Sequence, residues 1–146
     1  MGKIDRVEDM PVYQLFYQLA LEIEKVSRNY GPDFRWLRGQ SLRASESVCG
    51  NMTEGFYAQY STEYLHSLYR CRREGRETVT HVNYAKDVGV LPSGIANSLT
   101  ARYDEALHEL NNLIASIERK IQSRGKSKPG VPGFVREVPD SYEADH

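Results

Sequence analysis

Eight apolar residues, Ile95, Leu99, Tyr103, Leu107, Leu110, Ile114, Ile117 and Ile121, recur at steps of three and four. That spacing places them on one face of a single long α-helix. Asp104, Glu105, His108 and Glu109 fall on its opposite side. A helix with one apolar stripe must bury that stripe against other elements. No part of the chain alternates convincingly at the period of a strand. The cover therefore has to come from further helices.

Three more are legible. Pro11 follows Glu8 and Asp9, an arrangement suited to the first turn of a helix. Val12, Leu15, Leu19, Ile23, Val26 and Tyr30 then make its apolar face, and Gly31-Pro32 stops it. Asp33 is expected to cap the second helix, which runs to about Phe56. This helix has two stripes of mostly small residues, Leu37, Ser41, Ala44, Val48, Asn51, Gly55 and Leu42, Ser45, Cys49, Met52, Phe56. Two stripes suit close neighbours on two sides. Ser61 is expected to cap the third helix, whose apolar positions are Leu65, Leu68, Cys71, Val79, Val82 and Ala85. Gly75 interrupts it and Gly89 ends it. Pro92-Ser93 opens the fourth. Short links favour antiparallel neighbours, so residues 1–124 are expected to form an all-α, up-down antiparallel four-helix bundle. From Gly125 the sequence turns to Lys, Pro and Gly, and 125–146 is expected to be a flexible C-terminal tail.

Lys and Arg number 19 against 20 Asp and Glu, a net charge of −1. This balance excludes a uniformly basic nucleic-acid binder but leaves room for a local patch. Cys49 and Cys71 sit in no C-x-x-C pair, which removes the common zinc and redox motifs. Two thiols without an apolar leader fit a reducing, cytoplasmic setting. No segment approaches the ~20 apolar residues of a membrane span, so no membrane partner is expected.

Catalytic signatures are missing. There is no glycine-rich phosphate loop and no Gly-x-Ser-x-Gly elbow. Glu105 and His108 match the Glu-x-x-His spacing of di-iron bundles, but a solvated face is the plainer reading. Glu77 and His81 are i,i+4 neighbours, for which a surface or inter-helix hydrogen bond is the plainer reading. An enzyme reading would rest on Glu54, Glu77 and His81 sharing one pocket. We expect no catalytic residue, no metal and no cofactor.

Polar residues carry more information. Arg43, Ser47, Asn51 and Glu54, spaced four, four and three, line one face of the second helix. That face must meet other helices, so charges there need partners. With Glu77 they are expected to form a structural polar network, with Arg43 or an arginine of the third helix available to Glu54. The third helix carries Arg70, Arg72, Arg73 and Arg76 interleaved with Glu74 and Glu77. The plain reading is a salt-bridged, solvated surface; the sharper one is a phosphate-binding or partner-binding patch. Arg119, Lys120 and Arg124 add cations at the end of the fourth helix, where they also suit its dipole. Tyr57, Tyr60, Tyr64 and Tyr69 cluster around one turn, which suits an interface.

The second helix resembles the hallmark of one family, the four-helix-bundle proteins encoded in ribosomal RNA intervening sequences. That family includes the accessory variability determinant of diversity-generating retroelements. Its pattern, L-x-x-Q-x-x-R-A-x-x-S-I-x-x-N-I-x-E-G-F, is met here by Leu37, Gln40, Arg43, Ala44, Ser47, Asn51, Glu54, Gly55 and Phe56, with Val48 and Met52 as near equivalents. Ser61, Leu68, Glu77, Val82 and Ala85 continue the match, which spans about residues 7 to 122. The resemblance implies a non-enzymatic module that assembles as a homopentamer and contacts a reverse transcriptase and its RNA or DNA. It departs at Tyr57, Ala58 and Gln59, where the family is usually basic, and at Arg70, Arg73, Glu74 and Gly75, where it prefers small and apolar residues. The alternative is a structural or protein-binding bundle without a nucleic-acid role.

Overall fold

The computed structural model describes residues 3–126. They form four α-helices: α1 Pro11–Ser27, α2 Arg35–Phe56, α3 Ser61–Asp87 and α4 Ser93–Lys126. Short 3₁₀ turns, Val7–Asp9 and Pro32–Phe34, precede α1 and α2. No β-strand occurs among the described residues. The fold class is therefore all-α, as the periodicity required.

The helices stand at the corners of a square. α1 and α3 each pack against both α2 and α4, and the diagonal backbones do not meet. Contacts along the edges fix the directions. Val7, just ahead of α1, donates its N–H to the Tyr57 hydroxyl at the end of α2 (3.2 Å). Lys86 near the end of α3 reaches Asn97 near the start of α4 (3.3 Å), and Arg124 near the end of α4 reaches Ser61 at the start of α3 (2.9 Å). Each helix thus runs antiparallel to the next.

Local chemistry explains most of the boundaries. Pro11 occupies the first helical position, where its missing N–H would be unpaired in any case. Gly31 has φ +85°, a left-handed turn residue that reverses the chain between α1 and α2. The end of α3 is a Schellman motif: Val90 N–H donates to the Ala85 carbonyl and Gly89 N–H to that of Lys86, both at 3.0 Å. Gly89, at φ +87°, makes it geometrically accessible.

Two expected caps are not formed. The Asp33 side chain makes no cap hydrogen bond, because a 3₁₀ turn intervenes and Phe34 takes the N-cap position of α2. At α3 the N-cap is Tyr60, whose N–H donates to the Glu63 carboxylate (3.3 Å). Ser61 is the first helical residue instead. At the far end α4 continues through Gly125 and Lys126, two residues past its expected limit. The remainder of the tail, 127–146, lies outside the described residues.

The core is built on Phe16, Leu19, Ile23, Leu37, Met52, Leu68, Tyr64, Tyr103, Leu107, Leu110 and Ile117, all essentially fully buried. The buried face of α1 is Val12, Phe16, Leu19, Ile23 and Ser27. Leu15, expected there, is 39% exposed. At ~100° per residue it lies roughly 80° from the centre of the stripe, and Phe16 takes its place. Ile95 is likewise outside, at 42% exposure.

Small residues set the spacing of α2, α3 and α4. A Cβ on Gly55 would stand 2.5 Å from the Ser67 Cβ of α3, and one on Gly75 3.0 Å from Leu107 Cδ2 of α4. Ser41 and Ser45 are buried, but each donates its hydroxyl to the carbonyl four residues back (2.8 Å in both cases). Both stripes of α2 are buried as its sequence required, apart from Asn51 and Leu42, which are half-buried.

Candidate binding surfaces

The polar stripe of α2 meets α3, where Arg70, Glu74, Glu77 and His81 recur at steps of four, three and four. Arg43 donates to Glu74 at 3.2 Å and to Glu77, bridging two carboxylates one turn apart. Glu77 also meets His81 Nε2 at 3.3 Å. Asn51 donates its amide to the Ser47 carbonyl (2.8 Å) and accepts from Arg70 Nε (3.1 Å). Arg70 also donates to the Ser67 hydroxyl at 2.9 Å. Asn51 therefore links two helices through its side chain, with both ends of the amide engaged.

Glu54 stays outside this network. Neither Arg43 nor an arginine of α3 pairs with it; it is exposed and lines a groove on the other side of α2. Arg43 is drawn instead to Glu74, which is buried and needs a countercharge. Interleaved among arginines, Glu74 reads in sequence as a solvated residue. Its depth is legible only through position: it falls between the buried neighbours Cys71 and Thr78, on the face that meets α2.

The arginine run of α3 divides between two seams. Arg70 turns toward α2. Arg72 turns toward α4, donating to Asn111 Oδ1 at 3.0 Å with its guanidinium 5.2 Å from the Tyr69 ring centre. Arg76 faces α4 as well, 3.7 Å from Asp104. Arg73 lies 3.9 Å from Glu74 with its side chain 69% exposed. Exposed cationic surface on α3 thus comes from Arg73 and Arg76. Arg119 is exposed, while Lys120 and Arg124 are half-buried, Arg124 on Ser61.

Glu77 and His81 meet, but Glu54 does not join them. Glu105 and His108 are both exposed on α4. Among the described residues no group of three His, Cys, Asp or Glu side chains is placed to hold a metal ion. No described helix is long and apolar enough to cross a membrane.

A surface the sequence did not single out lies between α1 and α2. This groove, of about 760 Å³, is floored by Tyr13, Leu42 and Cys49 and flanked by Tyr17, Leu21 and Tyr57. Tyr13 and Tyr17 stack at 5.9 Å between ring centres. Tyr17, Leu21 and Tyr57 are 45%, 49% and 56% exposed. Glu46 and Glu54 stand at its polar edge. Burial, with the Glu46 carboxylate nearby, pushes the Cys49 thiol up to about 12 from its ordinary value. The signal for this groove was Tyr17 and Leu21 together, apolar residues one turn apart on the side of α1 away from the core stripe.

Comparison with known proteins agrees with this architecture. One similar solved structure is a protein of unknown function from the S23 ribosomal protein family of Bacteroides thetaiotaomicron. It has TM-score 0.65 and 20% identity, over 70% of this chain and 97% of that one, a likeness of fold. No curated protein matches. The model of the 23S rRNA-intervening sequence protein family matches residues 8–112, from just before α1 into α4. With most of its length matched, this chain belongs to the 23S rRNA-intervening sequence protein family.

Proposed function

We propose that this protein is a non-enzymatic, homo-oligomeric binding module that assembles through the α1–α2 groove. In this reading it acts as an adaptor of the retroelement-accessory kind, contacting a reverse transcriptase and its RNA, with a pentamer as the expected assembly. The observation that carries it is the groove itself. Tyr17, Leu21 and Tyr57 form a partly exposed apolar and aromatic surface on a helix pair that is otherwise well packed. The polar motif of α2 is meanwhile engaged in holding α2 to α3, which supports a structural role for it. Membership of a family named for ribosomal RNA intervening sequences is consistent with an RNA context.

Light scattering at micromolar concentration tests the assembly. Wild-type protein is expected as an oligomer and Leu21→Glu as a monomer with unchanged helicity. A wild-type monomer would sink the proposal.

A second reading, a protein-binding bundle without a nucleic-acid role, is favoured by the near-neutral charge and by the internal bonds of Arg70 and Arg72. Arg73→Ala with Arg76→Ala separates the two. Loss of salt-dependent RNA binding supports the adaptor; absence of RNA binding by wild type at low salt supports the alternative.

A further inference from the structure

At the opposite end of the α1–α2 pair from Tyr57, the Gly31-Pro32 turn is surrounded by arginines. Ser27, Arg28, Gly31, Pro32, Arg35 and Arg38 line an open pocket of about 560 Å³ there. Arg28 comes from the end of α1, and Arg35 and Arg38 from the first turn of α2. Gly31 contributes no side chain, and the space beside it is empty to 4 Å.

One carboxylate arranges two of the three guanidinium groups. Glu24 accepts from Arg28 Nε at 3.0 Å and from a terminal nitrogen of Arg28 at 2.6 Å. It also accepts from a terminal nitrogen of Arg38 at 3.0 Å. The two guanidinium groups hold the Glu24 carboxyl below the usual carboxylate range, so it stays charged in neutral solution. Arg28 keeps its other terminal nitrogen free of Glu24. Arg38 Nε is buried without a hydrogen-bond partner among the described residues. Arg35 is exposed, with no carboxylate partner among the described residues. Asp33 belongs to the turn but does not line the pocket. Three guanidinium groups therefore face one carboxylate, an excess of positive charge at the pocket.

The backbone adds to this. The N-cap position of α2 makes no side-chain cap hydrogen bond, and Asp33, in the turn before it, is the acidic side chain beside that helix end. Guanidinium groups spread over a concave surface, with unspent donors and a helix N-terminus beside them, are complementary to a tetrahedral oxyanion.

We infer that the pocket formed by Arg28, Arg35 and Arg38 at the α1–α2 turn binds a phosphate group. Its source is either a free phosphate or phosphomonoester, or the backbone of a nucleic acid. The chemistry is the same in both. Arg35 supplies uncommitted donors, and Arg28 and Arg38 are held for the same ligand by Glu24. The pocket shares no lining residue with the groove, although Glu24, which holds Arg28 and Arg38, also lines the groove; the test below reads the pocket independently of the oligomeric state.

The test is a titration of the full chain followed by backbone amide NMR. Inorganic phosphate forms one arm and a short single-stranded RNA the other, each against chloride at equal ionic strength. Saturable shifts confined to Ser27–Arg38 are expected. Arg35→Ala is exposed and is expected to keep the fold, with affinity reduced about tenfold. Arg35→Ala with Arg28→Ala should abolish binding. If RNA and phosphate compete for these amides, the source is nucleic acid; if phosphate alone shifts them, it is a small ligand. If neither ligand shifts them, or if Arg35→Ala binds as wild type does, the inference is wrong.

Discussion

Arg43 of α2 donates to Glu74 of α3 at 3.2 Å, and Glu74 is the one charged residue that is buried among the described residues. The pair is asymmetric. Arg43 keeps about half of its side chain in water, whereas Glu74 keeps 11%. Removing the arginine leaves a buried carboxylate with the more distant Arg73, at 3.9 Å, as its remaining cation among the described residues. Arg43→Met is therefore expected to destabilise by about 1–3 kcal/mol. Arg43→Met combined with Glu74→Gln should recover part of that loss, because the stranded charge is gone. Urea unfolding of the singles and the double would show it; strictly additive effects would contradict the coupling.

Two glycines of α2 should respond to the same substitution with opposite signs. Gly55→Ala places a Cβ 2.5 Å from Ser67 and must push α2 from α3, a loss of about 1–3 kcal/mol. Gly39 is exposed and a Cβ there meets nothing within 4 Å. Gly39→Ala should stabilise by about 0.5–1 kcal/mol through helix propensity alone. Thermal melting of both variants checks the signs.

The arginines of α3 should separate by seam. Arg70→Ala removes the partner of Asn51 and is expected to lower stability by about 1 kcal/mol. Arg73→Ala touches an exposed side chain and should stay within about 0.5 kcal/mol of wild type. An RNA affinity that falls with Arg73→Ala at unchanged stability would mark Arg73 as a contact; equal stability losses at both sites would refute the division.

Both thiols should be slow. Cys49 and Cys71 are buried, and burial raises both thiol pKa values, that of Cys49 to about 12. A disulfide reagent at pH 8 should label native protein at least about 100-fold more slowly than denatured protein. The same shift has a pH consequence. Above an unfolded-state pKa of 9.0 the unfolded thiol loses its proton while the folded one keeps it. Their contribution is thus complete below pH 9 and declines toward pH 12, by at most about 1.4 kcal/mol per unit for each thiol. Unfolding midpoints at pH 8 and 10 would reveal a flat profile if this is wrong.

Four helices were legible because Pro11, Gly31, Gly89 and Pro92 act locally, and because Leu99, Tyr103, Leu107 and Leu110 repeat with the helix period. Leu15 and Phe16 show where that reasoning stops. Adjacent apolar residues both satisfy a stripe, and only packing against α2 and α4 chooses between them. The polar network was half legible. Arg43, Ser47 and Asn51 announce a face that must be satisfied, but Glu74 hides among charged neighbours until α3 is turned toward α2. Of the α1–α2 groove only the α1 half, Tyr17 and Leu21, leaves a signal in the sequence, and the arginine turn leaves none. Both depend on residues from two helices, Tyr17 with Tyr57 and Arg28 with Arg35, whose adjacency is created by folding.

Residues 57–60 are all that separate α2 from α3, and Gly55, at the end of α2, lies against Ser67 near the start of α3. This close approach of α2 to α3 is therefore between residues near in sequence. Closing so short a loop takes little chain entropy, so the α2–α3 hairpin is expected to form early, with α1 and α4 packing onto it. Sequence change at that corner would be felt as a slower folding rate, while change along α1 would be felt as faster unfolding.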